Sequence, residues 1–497
     1  MDAQSEDFGG RRPLAGAKNE RRGNTLNLGI ALGLPIIVLV AMGGCVMPVP
    51  TRAPTPSTLP VRATFSPTPT VSRAPTNTAA LTPTETRVSP TETPTQSAAA
   101  TAAFAPPTTT PVPPTATPRP ATHTVCAAGC DFTAIQAAID TLGIAQPTVD
   151  DPGGGAIVEV TDTVHTEPGI VFGSGSDITI RGLGADQTIV QAHETLDGSP
   201  ERVFLVEEGA CVVLEGMTIR HGTPSAEEEH GGGIDNHGRL LIRNCTVTKN
   251  SARGGGGISN RNGDLTIVGS TCSDNVARGD GPRGVECGGG GGVKSSSGRL
   301  TLVGSTITGN RAGLRSEGLG GGVRTGCACV SEIVNTTVSG NQAARYGGGI
   351  AASGSVTITH CTIVDNRVGP GGGGLWVRGK VAIENTIIAR NRGGANCTIG
   401  GEGGHVGTGS IILNRNTWIG DGSCSPDFSG DPMLSHLDDN GGETLTHALL
   451  PGSPAIDAIP AASCTVPTDQ RGLPRPTVQT SADTPCDVGA FEVQPEP

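Results

Sequence analysis

From Gly154 onward, apolar and polar residues alternate in short runs, each preceded by glycines and closed by an asparagine. The glycine runs end at Ile234, Ile258, Val293, Val323, Ile350 and Leu375, and the asparagines fall at Asn250, Asn275, Asn310, Asn341, Asn366 and Asn391. The unit therefore repeats roughly every 25 to 35 residues, the range of solenoid repeats. Counting back three from each asparagine gives Val247, Cys272, Ile307, Val338, Ile363 and Ile388. Counting back five gives Cys245, Ser270, Ser305, Thr336, Cys361 and Thr386. One inward column is thus aliphatic or Cys and its neighbour is small, an alternation of strands rather than helices.

Glycine corners let successive backbones turn and stack closely, with positive φ where needed. Asparagine tolerates the left-handed region, and stacked Asn side chains can hydrogen-bond from one coil to the next. The pattern predicts an all-β chain, a parallel β-helix with one coil per repeat. Between Gly154 and about Leu413 there is room for about ten coils, or about 50 Å at the spacing of neighbouring strands. Both open ends of such a solenoid need covers. Phe132, Ile135, Ile139 and Leu142 follow helical spacing and predict a short amphipathic N-terminal cap, with Asp131 as its N-cap residue. The repeat stops at Cys424, and the compact Pro/Asp/Gly-rich remainder is expected to close the other end.

The region before the repeat is different in kind. Residues 1–25 are a polar tail with Lys18, Arg21 and Arg22 ahead of an uncharged apolar run, 26–47. That run is long enough to span a bilayer as a helix, and the basic flank keeps the N-terminus inside. It reads as an uncleaved transmembrane signal anchor or as a lipoprotein signal, because Cys45 follows Met42-Gly43-Gly44 as a lipidated cysteine would. Either way the remainder is exported to the outer face of the membrane. Residues 48–124 are rich in Pro and Thr and almost free of large apolar side chains. Such a stretch cannot offset its ordering entropy and predicts a disordered, extended stalk.

Composition narrows the partners. The 497 residues carry a net charge of −12, and aromatics make up 2%. With no sustained Lys/Arg cluster and few rings to stack bases, a nucleic-acid partner is not expected. The 76 glycines follow no three-residue period, which excludes collagen. Fourteen cysteines in an exported chain permit disulfides. Those in the inward columns, Cys245, Cys272 and Cys361, read as small buried hydrophobes. Those outside the regular coils are the bridge candidates: Cys126 with Cys130, Cys397 with Cys424, and Cys464 with Cys486.

Two stretches carry a family resemblance. The opening Cys126-Ala-Ala-Gly-Cys130-Asp-Phe-Thr-Ala-Ile-Gln-Ala-Ala-Ile-Asp140, with the glycine–asparagine repeats after it, resembles bacterial surface proteins of the pectin-lyase-like superfamily. That likeness implies a right-handed, single-stranded parallel β-helix over 125–429. In the tail, Gly430-Asp431-Pro432, Asp439-Asn440-Gly441-Gly442-Glu443-Thr444, Pro451-Gly452-Ser453-Pro454-Ala455-Ile456-Asp457, Asp469-Gln470-Arg471-Gly472 and Cys486-Asp487-Val488-Gly489-Ala490-Phe491-Glu492 follow in order. Together they are similar to the choice-of-anchor Q domain, and 430–497 is assigned to it as a C-terminal cap. The resemblance speaks to fold and location more than to activity.

Candidate chemistry is sparse. His165-Thr-Glu167 and Glu229-His230 lack a second ligand pair at zinc spacing, and Asp438-Asp439-Asn440-Gly441 lacks the spacing of a calcium loop. Cys327-Ala-Cys329 reads as a turn, with Cys287 as a possible bridge partner of the pair. No metal site and no cofactor are expected. Lyases of this superfamily imply clustered carboxylates and an Arg or Lys base, and hydrolases a carboxylate pair. Parity places the outward side chains after each glycine run at Asp235, Ser259, Lys294, Arg324, Ala351 and Trp376, then at His237, Arg261, Ser296, Gly326, Ser353 and Arg378. Only Asp235 among them is a carboxylate; Glu227, Glu228 and Glu229 lie in a nearby loop, and Gly404-His405 and Arg378-Gly-Lys380 only faintly echo polygalacturonase motifs. The same face offers Arg261, Lys294, Arg324, Trp376 and Arg378 as a basic stripe for an acidic polysaccharide or cell-wall glycan. Non-catalytic adhesion or glycan binding by a monomer is therefore the expected role. A polysaccharide lyase or glycoside hydrolase, and a passive wall protein, are the alternatives.

Overall fold

The computed structural model describes residues 121–142, 155–225, 230–279, 288–313, 318–369, 371–400, 409–476 and 484–495. The apolar run 26–47 with Cys45, the stalk up to residue 120, Glu227–Glu229, Cys287 and His405 lie outside them. No described helix is long and apolar enough to cross a membrane.

One coil shows how the repeat becomes structure. Ile258–Asn260 and Asp264–Val268 form two limbs of a first sheet, Thr271–Ser273 a second sheet and Val276–Ala277 a third. Each pairs in parallel with its counterparts one coil before and after, as Ile258 does with Ile234 and Val293. The first sheet has eighteen strands, the second ten and the third five among the described residues. The chain is a parallel β-solenoid. Aliphatic columns such as Ile234–Ile258–Val293–Val323–Ile350–Leu375 and Ala252–Ala277–Ala312–Ala343–Val368 fill it and are buried. Cys245, Cys272 and Cys361 lie fully inside, and burial pushes their thiols up to about 12. They serve as hydrophobes.

The asparagines form a continuous internal ladder. In each coil the Asn backbone N–H and Nδ2 both donate to Oδ1 of the next Asn, from Asn250 through Asn275, Asn310, Asn341, Asn366 and Asn391 to Asn396, at 3.0–3.1 Å. Asn250 Oδ1 accepts from Gly222 N–H at the start, and Asn396 N–H ends the series on Asp421. The left-handed residue at this corner is not the asparagine but the one before it: Lys249, Asp274, Gly309, Gly340, Asp365 and Arg390 all have positive φ. The asparagine is selected for its inward amide. A second left-handed corner, between the first and second sheets, stacks Gly216, Asn244, Gly269, Gly304, Asn335, His360, Asn385 and Asn416.

The N-terminal end is covered by helix α1, Ile135–Leu142, whose Ile135, Ala138 and Ile139 are buried. Its cap differs from the expected one. Asp131 accepts from Thr124 N–H and Oγ1, while Glu167 accepts from the Ile135 and Gln136 N–H groups at 2.6 and 2.9 Å. His165 steadies Glu167 at 2.8 Å, so these two residues are a helix cap. Nor is Cys327-Ala-Cys329 a turn, since it runs within the long strand Val323–Val334 with Cys329 buried against Ser295 and Cys327 exposed. The disulfides Cys126–Cys130, Cys397–Cys424 and Cys464–Cys486 are formed.

The C-terminal remainder takes a course that parity could not foresee. Phe428 stacks on Trp418, and Asn414 Nδ2 donates to the Cys424 and Ser425 carbonyls at the last coil. From there the chain turns back along the flank of the solenoid, over the second sheet. Its contacts run from Arg390 donating to Leu434 O, through His447 Nε2 at 2.8 Å from Ser339 Oγ, to Thr306 Oγ1 donating to Leu445 O. The later part doubles back, with Ala490 N–H donating to Thr362 Oγ1 and Asn385 Nδ2 to Ser463 O. At its centre Arg475 is fully buried, 3.3 Å from Glu492 and donating to the Asp487 and Gly489 carbonyls. Thr306, Thr337 and Thr362, which face outward from the second sheet, thus have protein rather than solvent over them.

Candidate functional site

The outward column after the glycine runs is where a site was expected, and its register is as parity places it. Asp235 pairs with Ser259, Ser259 with Lys294, Lys294 with Arg324, Arg324 with Ala351 and Ala351 with Trp376. Its exposure is not. Asp235 is 1% exposed, Lys294 5%, Arg324 6% and Trp376 5%. The cause is the glycine run itself. Gly231, Gly255, Gly290, Gly320 and Gly347 all have φ between +63° and +67°, and each corner folds back against the residue four positions later. At Gly320 a Cβ would stand 2.2 Å from Val323 O and 3.0 Å from Arg324 Cβ, so glycine is required both for φ and for space.

The consequences for the proposed stripe are specific. Lys294 and Arg324 lie under the corners, with the Arg324 guanidinium donating to Gly288 O. Trp376 stacks face to face on Tyr346, centroids 4.9 Å apart, and its indole N–H donates to Gly400 O. Arg345 lies 5.4 Å over the Tyr346 ring. Arg261 and Arg378 reach the half-buried level. Four coil steps separate them, about 19 Å at the usual strand spacing. The five residues therefore share a column pair but do not present one continuous surface.

Asp235 is the densest polar point of the column. Arg261 grips it with both arms, Nη2 to Oδ2 at 2.5 Å and Nε to Oδ1 at 3.3 Å, and His237 Nε2 lies 3.4 Å from Oδ2. Arg202 approaches at 3.9 Å from an earlier coil, a partner the repeat pattern did not reveal because its coil lacks the glycine signature. Burial pushes the Asp235 carboxyl up, but His237, Arg261 and Arg202 outweigh it and hold it below the ordinary carboxylate range. Next to it, burial drives buried His230 down to about 4, with Lys294 and Arg261 adding to the effect, so it is neutral. His237 opens onto a groove of about 350 Å³ that also takes in Arg239, Asn262 and Asp264. Among the described residues no group of three or more His, Cys, Asp or Glu is placed to hold a metal ion.

No family description matches the sequence, and no curated protein matches it either. Among solved structures the chain is similar to pectate lyase Pel9A, with 14% identity over 72% of this chain and 90% of that one and a TM-score of 0.39. It is also similar to a pectin methylesterase from carrot, at 13% identity over 63% and 87% with a TM-score of 0.34. A third likeness is to the A-module of mannuronan C-5 epimerase AlgE4 of Azotobacter vinelandii, at 16% identity over 57% and 83% with a TM-score of 0.31. Identities and scores at this level carry no chemistry from those proteins to this chain.

Proposed function

We propose that this chain is a non-catalytic β-solenoid that binds polysaccharide at the outer face of a bacterial membrane. In this reading the apolar run 26–47 holds it there, as an anchor or through a lipidated Cys45, and the Pro/Thr-rich stretch spaces the coils from the membrane. The segment 430–497 is then choice-of-anchor Q-like. The observation that carries the non-catalytic part is Asp235. It is the lone carboxylate of its column, 1% exposed, and committed to Arg261, His237 and Arg202. A carboxylate so held is a poor base and a poor calcium ligand. Incubating the full chain with plant and microbial polysaccharides, with and without calcium, tests this. Retention of the protein on a polysaccharide without release of sugar ends is expected, and saturable release would overturn the reading.

One observation favours a polysaccharide-cleaving enzyme instead. His237 stands between buried Asp235 and the groove with Arg239 and Asp264, an arrangement in which a carboxylate orients a histidine base. If sugar ends are released, His237→Ala should abolish the release, and undiminished turnover in that variant would dismiss this site.

A further inference from the structure

The third sheet carries a column that the first sheet's prominence hides. Each of its strands is two residues long, the second pointing inward as Ala252, Ala277, Ala312, Ala343 or Val368, all buried. The first residue therefore points out. Along the coils those outward residues are Ser251, Val276, Arg311, Gln342 and Arg367, paired in direct register, and Arg367 bridges onward to Arg392. Arg311, Gln342, Arg367 and Arg392 are all exposed. None of the three arginines forms an ion pair with a described residue. The corner carboxylate two residues before Arg367, Asp365, is taken by Arg390 at 2.7 Å.

Elsewhere this solenoid stacks charges differently. On the second limb of the first sheet Glu159, Arg181, Glu215 and Arg243 alternate in sign coil by coil, with gaps of 3.8, 3.1 and 3.0 Å. Glu384 and Arg415 do the same at 2.6 Å. Like charges directly opposite on neighbouring strands destabilise a sheet. In a chain of net charge −12, Arg367 stacks directly on Arg392, and Arg311 extends the same column beyond Gln342 with no carboxylate among them, an arrangement that favours an outside counter-charge. Strand spacing sets Arg311 and Arg392 about 14 Å apart, with Gln342 and Arg367 between. That geometry suits a linear polymer bearing a negative group at regular intervals better than a single small anion.

We propose that Arg311, Gln342, Arg367 and Arg392 form a docking stripe for an acidic polysaccharide lying across the coils, its carboxylates meeting the guanidinium forks and a hydroxyl meeting the Gln342 amide. The proposal rests on the polysaccharide-binding reading above and names its ligand class and surface. A polysaccharide is favoured over a single-stranded nucleic acid because the column itself, Ser251, Val276, Arg311, Gln342, Arg367 and Arg392, holds no ring to stack bases.

The test compares the full chain with a triple variant, Arg311→Gln, Arg367→Gln and Arg392→Gln, by retention on fully de-esterified polygalacturonate, on a neutral glucan and on single-stranded DNA. All three positions are exposed, so the coils should fold unchanged. Arg→Lys at the same three positions keeps the charge and serves as the conservative variant. The expected result is binding to polygalacturonate that weakens as salt rises, falls about tenfold or more in the Gln variant and partly recovers in the Lys variant. Undiminished polygalacturonate binding by the Gln variant overturns the stripe and leaves the polysaccharide reading intact. Retention on the neutral glucan alone also overturns the stripe while sparing that reading. Equal or stronger binding to DNA overturns the assigned ligand class, and retention on nothing overturns both proposals.

Discussion

The coils and the segment lying along them bury polar groups in opposite ways. Along the inward corner of the solenoid seven buried asparagine amides repeat, neutral and each hydrogen-bonded to the next from Asn250 to Asn396. The buried charges of the coils, Asp235, Lys294 and Arg324, lie instead on the outward column under the glycine corners. In the flanking segment the buried polar groups are charged and unrepeated, with Arg475, Glu492, Asp487, Asp469 and Arg471 joined in one network. Stacking explains the difference. A coil places each side chain against its own counterpart, so an amide, which both donates and accepts, can pair with itself indefinitely, whereas a charge would face its like. A segment that visits the flank once is free of that constraint and can enclose an ion pair.

This contrast predicts where each region breaks. Arg475→Ala leaves Glu492 and Asp487 buried without their cation and should cost about 3–5 kcal/mol. The loss should appear as proteolysis of the flanking segment while the coils keep their denaturation midpoint. A single shared midpoint that drops with the variant would mean that segment and solenoid are one cooperative unit. Asn341→Ala strips the acceptor from two Asn310 donors and should cost about 2–3 kcal/mol, measured by denaturant unfolding. Here the coils should weaken and the segment follow. At Gly320, alanine forces a left-handed φ on a residue with a Cβ, about 1–2 kcal/mol by itself, and the clash of that Cβ with Val323 O adds to the cost. If Gly320→Ala is neutral, the corner does not fold over Arg324 as described.

The smallest effect is a pH dependence at the N-terminal helix. Burial pulls His165 down, but Glu167 and Asp162 outweigh it and raise it above 6.5; its contribution is full below pH 6.5 and fades as pH rises through the folded value. Burial pushes Glu167 up, but His165 and the Gln136 and Ile135 N–H groups hold it below 4.5; its contribution is full above pH 4.5 and fades as pH falls. Amide-exchange protection of α1 should therefore be greatest between about pH 4.5 and 6.5. Protection that rises steadily through pH 8 would remove His165 from the cap.

Much of the solenoid was legible in the sequence alone. Alternation set which residues face inward, asparagine spacing set the coils, and the cysteines outside the repeat were the ones that pair. The same parity also held the arginine column, since Arg311, Gln342, Arg367 and Arg392 each follow a ladder asparagine. Its two-residue strands give too short an alternation to stand out from the surrounding sequence. The expected stripe at Lys294, Arg324 and Trp376 shows the limit from the other side. Its column was right, but its accessibility depended on where the glycine corners fold.

What the sequence by itself determined is everything that repeats: coil, inward columns, glycine corners and asparagine ladder, because these follow from side-chain period and from backbone angles only some residues adopt. What only the tertiary structure decided is everything that joins distant segments. Glu167 rather than Asp131 caps the helix, Arg202 reaches Asp235 from another coil, and the tail lies along the flank. Such contacts depend on which surfaces meet after the coils have stacked, and no local period records that.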